Sequence, residues 1–237
     1  MQSGTLEKLR QYDTATICNV IELFEARPRN RGFMRQRVKA AFPELPPMVG
    51  FASTATCRSF TQPPERQLPI VPDLISRWGE LDGPAVVVLQ NLDTNGAAAI
   101  FGDVLCNSFA AFGAVGLVTD GQGRDLAGIA PLDFPVFCDG IVCAHGYMHL
   151  LTLHEAVQVG GIVVQPKTLL HGDANGVTTI PTQIAADVAD ACAEYAQAEA
   201  VVIEAAQTGT ASLADLRAAY AEMAERIAKL NARLRRN

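Results

Sequence analysis

Asp103, Arg124 and Asp125 are the residues whose types and spacing most readily offer chemistry. Asp103 follows Gly102, and 20 residues later the stretch VTDGQGRD (118–125) passes two glycines and ends in Arg124-Asp125. A guanidinium presents a planar fork that matches a carboxylate. Asp125 offers hard oxygen ligands for Mg²⁺ or Mn²⁺, and Asp103 a second carboxylate. If Gly102, Asp103, Val104 and Leu105 open a helix, their unpaired N–H groups add an anion site. Such a set suits a 2-oxo acid, with its carboxylate on Arg124 and the backbone and its oxo oxygen on the metal. Two plainer readings stand beside this one. An Asp at a helix start is a cap, and an Arg-Asp pair after a glycine turn is a solvated ion pair.

For these groups to meet, the start of a helix and the end of the following strand must reach one edge of a sheet. The intervening 20 residues are the length of a helix and a returning strand. The pattern around them fits. AVVVLQN (85–91) is a short apolar run expected of a buried strand. VLCNSFAAFGA continues a helix from Asp103, and VGLVTDG and FPVFCDG read as further strands. Upstream, residues 5–24 read as helix with Asp13 as an N-cap, and MVGFASTATCRSF as a strand. Residues 28–47 read as loop with a short helix, and 67–80 as helix. Downstream, GGIVVQPKTLLHGDANGVTTIP reads as three strands with turns at Pro166 and Asp173–Gly176. Helix dominates from Ile184, broken at 208–210. Alternating strands and helices followed by hairpins predict an α/β fold with mixed pairing.

The 237 residues carry 49% apolar and 19% charged side chains, enough for a substantial core. With no linker-like segment, they predict a single domain over 1–210 and a C-terminal helix over 211–237. A net charge of −6 argues against a general nucleic-acid partner. No apolar run reaches membrane-spanning length, and the N-terminal stretch lacks a signal-like apolar region. With six cysteines and no C-x-x-C pair, these features predict core thiols and a cytoplasmic location.

GDVLCNSFAAFGAVGLVTDGQGRD, with FPVFCDG and HGDANGVTTIP, resembles the RraA-like family, which contains 4-hydroxy-4-methyl-2-oxoglutarate aldolases and ribonuclease-E inhibitor proteins. The resemblance implies a β/β/α sandwich of the swivelling-domain type with flanking helices. It implies a divalent-metal-dependent lyase that releases pyruvate from such 2-oxo acids and also decarboxylates oxaloacetate. The alternative is a non-catalytic regulator that binds a protein such as a ribonuclease. Carried over residue by residue, Gly102, Asp103, Val104 and Leu105 contact pyruvate through the backbone, and Arg124 binds its carboxylate. Asp125 holds Mg²⁺ or Mn²⁺ partly through water, and Asp103 orients a water for proton transfer. The resemblance also implies a homotrimer or hexamer with sites between subunits, where Glu199 of a neighbouring subunit approaches the metal's waters. Three stretches depart from the family pattern: QPKT (165–168) where Pro-Gly-Asp is common, Asn19 where Asp is common, and a histidine-rich HGYMHLLTLHEAV.

Other residue patterns compete. His145 and His149 would share one face if helical, but no H-E-x-x-H pattern accompanies them. A Schiff-base mechanism needs a buried lysine, whereas Lys167 follows a proline at a predicted turn. At the C-terminus, Leu213, Leu216, Tyr220, Met223, Ile227, Leu230 and Leu234 form an a/d stripe. It begins at a Ser212/Asp215 capping pair and ends in Arg233, Arg235 and Arg236. It reads either as a helix packed on its own subunit or as an oligomerisation arm, and the arm is the expectation.

Overall fold

The computed structural model describes residues 3–35, 37–93 and 98–235. Helices α1 (Ser3–Leu9) and α2 (Thr14–Leu23) open the chain, followed by β1 (Lys39–Ala40), the long β2 (Met48–Arg58), α3 (Val71–Ile75) and β3 (Ala85–Asn91). Next come β4 (Ala99–Phe101), α4 (Asp103–Ala111), β5 (Gly116–Thr119), β6 (Gln122–Gly123), α5 (Leu126–Ile129), β7 (Val136–Cys138) and β8 (Gly140–Ile141). The remainder is β9 (His149–Leu153), the hairpins β10 (Val157–Val159) with β11 (Ile162–Val164) and β12 (Leu169–Asp173) with β13 (Gly176–Ile180), then α6 (Ala185–Gln207) and α7 (Leu213–Leu234).

The main sheet runs β1-β7-β5-β3-β2-β12-β13, with β9 also paired to β2. Strands β2, β3, β5 and β7 are mutually parallel, and β1, β9 and β12 join them antiparallel. Every residue of β2 is buried except Arg58, the last, so its alternation sorts two covered faces rather than core from solvent. Val49 and Phe51 pack under α1, α2 and α6, while Ala55 and Cys57 on the same face meet α3 and α4. Met48 and Ala52 point the other way, with Val86, Val88, Val118 and Phe137, toward the β10–β11 hairpin and Met34. The result is the expected β/β/α layering.

A second, three-stranded parallel sheet, β4-β6-β8, continues the chain beyond β3, β5 and β7. Its strands are too short to leave a periodic signal. Other differences from the sequence reading have local causes. The helix expected over 5–24 is two helices, because Asp13 caps a new one, accepting Thr16 N–H at 2.6 Å. The 67–80 segment keeps α3 and a 3₁₀ turn at Trp78–Glu80. Among the described residues of 28–47 there is no helix; the chain instead bridges Phe33 to Thr178 and forms β1. His149 begins β9 opposite Arg58, so the His145/His149 helical pair does not exist. Cys143 is exposed and Cys18 half-buried, against the expectation that every cysteine is core.

The capping box at Ser212 and Asp215 forms as expected, with Ser212 N–H to Asp215 at 2.9 Å and Asp215 N–H to Ser212 Oγ at 3.2 Å. From there α7 folds back on α6. Leu230 is buried against the core of α1, α2 and α6, with Ile227 and Leu234 beside it, and Arg233 pairs with Glu194. The stripe is thus largely spent on its own chain; Leu213 and Tyr220 stay exposed. Arg236 lies outside the described residues. Among those described, no helix is long and apolar enough to cross a membrane.

The α1–α2 junction is tied to the sheet through His171. Its Nε2 lies 3.1 Å from the Leu9 carbonyl and its Nδ1 2.9 Å from Thr14 Oγ1. A carbonyl only accepts, so Nε2 carries the proton and Nδ1 accepts from the Thr14 hydroxyl. Asp173 accepts the Thr14 N–H at 2.8 Å. Burial holds the His171 imidazole below its usual range. The unfolded chain takes up a proton below about pH 6.5 while the folded chain resists it. This site's contribution is therefore full above that pH and falls as pH drops below it. Urea unfolding should show a loss of stability between about pH 7.5 and about pH 5.5 that is smaller in His171→Gln. Thr14→Val, which leaves Nδ1 unpaired, should cost about 1–2 kcal/mol at neutral pH. Equal pH slopes in the two proteins would contradict this account of His171.

Candidate active site

The short sheet β4-β6-β8 positions the residues singled out from the sequence. α4 starts directly after β4, and α5 directly after its parallel neighbour β6. Both helix starts therefore lie at the carboxyl ends of adjacent parallel strands, the usual place for a ligand in α/β sheets. A cleft of about 420 Å³ opens there. Gly102, Asp103, Val104, Leu105, Arg124 and Asp125 all line it.

Neither start carries a side-chain N-cap, as is also true of α3 and α6. α2 and α7 are capped by side chains, but α4 begins at Gly102, which has none to offer. α5 begins at Asp125, whose carboxylate makes no capping bond. Asp125 has φ 58° and ψ 34°, in the left-handed region that glycine favours. Its carboxylate meets the Arg124 side chain, Nε to Oδ2 at 3.1 Å. Gly102 makes room for this pair, since a Cβ there would lie 2.8 Å from Asp125 Oδ2 and 3.4 Å from Arg124 Cγ. Asp103 takes the Val104 N–H at 2.7 Å; the other first-turn N–H groups of α4 have no acceptor inside the helix. The Arg124 and Asp125 side chains keep 34% and 40% exposure, enough for both ligand and water to reach them.

The rest of the cleft is mainly apolar, with Val71, Ile100, Phe101 and Met148 in its walls beside Ser108. His145 also lines it. Spacing did not place His145 at the cleft, because it arrives on the loop after β8. Cys106 is buried behind the cleft, and burial pushes its thiol up to about 12. Lys167 is exposed, with φ 67°. It occupies the third position of a Gln165–Thr168 turn closed by Thr168 N–H to Gln165 O at 3.1 Å. Proline before a positive-φ residue is the type II pattern, so Lys167 adopts here a conformation that glycine adopts freely.

Glu199 is not in the cleft of its own chain. It sits on α6, accepting a hydrogen bond from Asn19 Nδ2 at 3.4 Å, and burial raises its pKa. Asn19 departs from the common Asp, and here its amide donates where a carboxylate would repel Glu199. Among the described residues no three His, Cys, Asp or Glu side chains gather as a metal cage.

The family model for RraA-like proteins (Aldolase/RraA) matches residues 14–179. The chain belongs to the RraA-like family. Among curated relatives, a Halalkalibacterium halodurans protein provisionally named 4-hydroxy-4-methyl-2-oxoglutarate aldolase is 32% identical over 99 residues, 41% of this chain and 47% of that protein. Protein DlpA of Legionella pneumophila is 30% identical over 94 residues, 38% of this chain and 15% of its own length. Each match thus spans less than half of the relative. Two solved structures share the RraA-like fold. A Pseudomonas syringae pv. tomato protein has a TM-score of 0.69 at 21% identity, covering 92% of this chain and 98% of its own. RraAS2 of Streptomyces coelicolor, described as an unusual member of the RNase ES inhibitor RraA family, has a TM-score of 0.67 at 22% identity, covering 84% and 96%.

The left-handed backbone at Asp125 generates a prediction. Glycine relieves it and alanine does not. Asp125→Gly should therefore be more stable than Asp125→Ala by about 1 kcal/mol in urea unfolding. Equal midpoints would mean that position 125 carries no strain.

Proposed function

We propose that this RraA-like chain is a divalent-metal-dependent lyase. It cleaves 4-hydroxy-4-methyl-2-oxoglutarate-like 2-oxo acids to pyruvate and also decarboxylates oxaloacetate. The observation that carries the reading is the meeting of Arg124, Asp125, Asp103 and the uncapped start of α4 in one cleft. The relative's aldolase name supports the lyase class.

Arg124 holds the C1 carboxylate through its planar fork, and the first-turn N–H groups of α4 that Asp103 does not take add hydrogen bonds to the same end. Asp125 and Asp103 would hold Mg²⁺ or Mn²⁺. Their donor set fits such a cation, since Mg²⁺ commonly takes one or two carboxylates and keeps several waters. It does not fit a structural zinc site, which requires four protein ligands. When bound, the cation supplies Lewis-acid stabilisation of charge on the 2-oxo oxygen. As C3–C4 breaks, the C4 hydroxyl gives its proton to the water that Asp103 would orient, the electron pair of the bond goes to C3 and is delocalised toward the 2-oxo oxygen, and the same water then returns a proton to C3. The same charge develops when oxaloacetate loses CO₂, so one set of residues serves both reactions.

We further propose a homotrimer, or a hexamer of two trimers, in which Glu199 of a neighbouring subunit completes the site. The arm role proposed for residues 211–237 rests on Leu213 and Tyr220. Pyruvate release from either substrate should require Mg²⁺ or Mn²⁺ and stop with EDTA. Asp125→Ala should abolish release while the fold persists. Arg124→Lys, which keeps charge but loses the fork, should lower kcat/KM about 100-fold, and Arg124→Ala more. Wild-type kcat/KM in both Arg124 variants would refute the carboxylate clamp. Metal-independent inactivity in the wild type would favour the regulator reading.

A further inference from the structure

We infer that Gly128 is a positioning residue for this site: its missing side chain sets where the Asp103 carboxylate lies, and through it the proton transfer that Asp103 directs. The inference rests on the lyase reading above and adds a residue which that reading does not use.

Gly128 is the third residue of α5, and nothing in the local backbone asks for glycine there. It is exposed, it is helical, and its φ is not positive. Helix propensity alone would place alanine or a longer side chain at 128, since glycine is the poorest helix former after proline. Gly128 does not line the cleft either. What distinguishes it is a contact across to α4. A Cβ at 128 would lie 3.0 Å from both Asp103 Cβ and Asp103 Oδ2. Carbon atoms pack best at about 3.5–4.0 Å, so a side chain at 128 would push Asp103 aside by a few tenths of an ångström.

This contact has a counterpart at Gly102, where a Cβ would lie 2.8 Å from Asp125 Oδ2. The carboxylate that begins α5 therefore rests on the glycine before α4, and the carboxylate that begins α4 rests on a glycine of α5. Together the two glycines let each carboxylate lie against the neighbouring helix, and so set Asp103 and Asp125 relative to one another.

α5 cannot back away to make room. Ile129 is fully buried in the core, with Leu126 packed beside it. The Asp125 carbonyl accepts the N–H groups of Gly128 at 2.9 Å and Ile129 at 3.2 Å, so a movement of α5 would carry Asp125 with it. Asp103 is tied on its other side, where Oδ1 accepts the Val104 N–H at 2.7 Å. The group that yields to a side chain at 128 is the Asp103 carboxylate, which must turn away from α5 and strain or lose that hydrogen bond. The proton that leaves the C4 hydroxyl and the proton that reaches C3 both pass through the water that Asp103 orients, and such transfers need hydrogen-bond reach. Arg124, which holds the C1 carboxylate, does not depend on this contact. Crowding at 128 therefore acts on turnover more than on binding.

The test compares Gly128→Ala and Gly128→Ser with wild type in saturating Mg²⁺. A misplacement of about 1 Å costs about 100-fold in rate. For pyruvate release from 4-hydroxy-4-methyl-2-oxoglutarate, kcat should thus fall about 10-fold in Gly128→Ala and further in Gly128→Ser, with KM within about twofold of wild type. In an Asp103→Ala background, Gly128→Ala should change the residual kcat less than about twofold, because its effect runs through Asp103. A crystal structure of Gly128→Ala provides a readout without turnover: the Asp103 carboxylate should be displaced, with Arg124, Asp125 and α5 in place. An undisturbed Asp103, an unchanged kcat, or an equal loss in both backgrounds overturns the role of Gly128 and leaves the lyase reading intact. A wild type that releases no pyruvate overturns the lyase reading and the proton-transfer role together, while the crystal structure still decides whether Gly128 places Asp103.

Discussion

The contact of Gly102 with the Arg124–Asp125 pair governs the site. A single Cβ at 102 would press on Asp125 Oδ2 and touch Arg124, so the bare backbone at 102 lets the ion pair sit directly against the start of α4. The left-handed backbone of Asp125 belongs to the same arrangement. An aspartate that begins a helix ordinarily spends its carboxylate on the helix N–H groups; the conformation at 125 keeps it beside Arg124 instead. Two helix starts without side-chain caps thus face one cleft, and local backbone strain is kept where a ligand would be bound.

The rest of the fold holds that contact in place. The β4-β6-β8 sheet sets α4 and α5 side by side, and it is anchored to a main sheet covered on both faces. The helices over the other half of that sheet, α1, α2 and α6, do not reach the cleft. They bury Val49, Phe51 and Leu169, and their junction is locked by His171, Thr14 and Asp173. The HGDANG stretch that helps define the family resemblance serves the core through His171 and Asp173.

Legibility in the sequence followed the range of the interaction. Local signals were readable: the Asp13 cap, the Ser212/Asp215 box, the apolar run of β3, and the turns at Pro166 and Asp173–Gly176. The span between Asp103 and Arg124 matches a helix and a returning strand, but spacing alone left the plain cap and ion-pair readings standing, and the family resemblance singled out Asp103, Arg124 and Asp125. Short strands β4, β6 and β8 were not readable, since two or three residues carry no period and exist only through pairing with distant chain. β9 was hidden for a related reason. HLLTL pairs with the distant end of β2, and nothing in its own five residues marks that partner. The α7 stripe is real, but a heptad pattern does not say which partner it packs on, and most of it meets α6. His145 could not be placed at the cleft from sequence, because the loop after β8 brings it there.

The central claim is that this cleft stabilises negative charge on a pyruvate-like 2-oxo acid beside a divalent cation. Oxalate mimics the planar, charge-delocalised form that pyruvate approaches as C3–C4 breaks, so equilibrium binding of oxalate and pyruvate tests the claim directly. Titration calorimetry in Mg²⁺ should show oxalate binding at least about 100-fold more tightly than pyruvate, as expected of a transition-state mimic, with both lost on adding EDTA. Equal affinity for the two, or binding indifferent to EDTA, would contradict it.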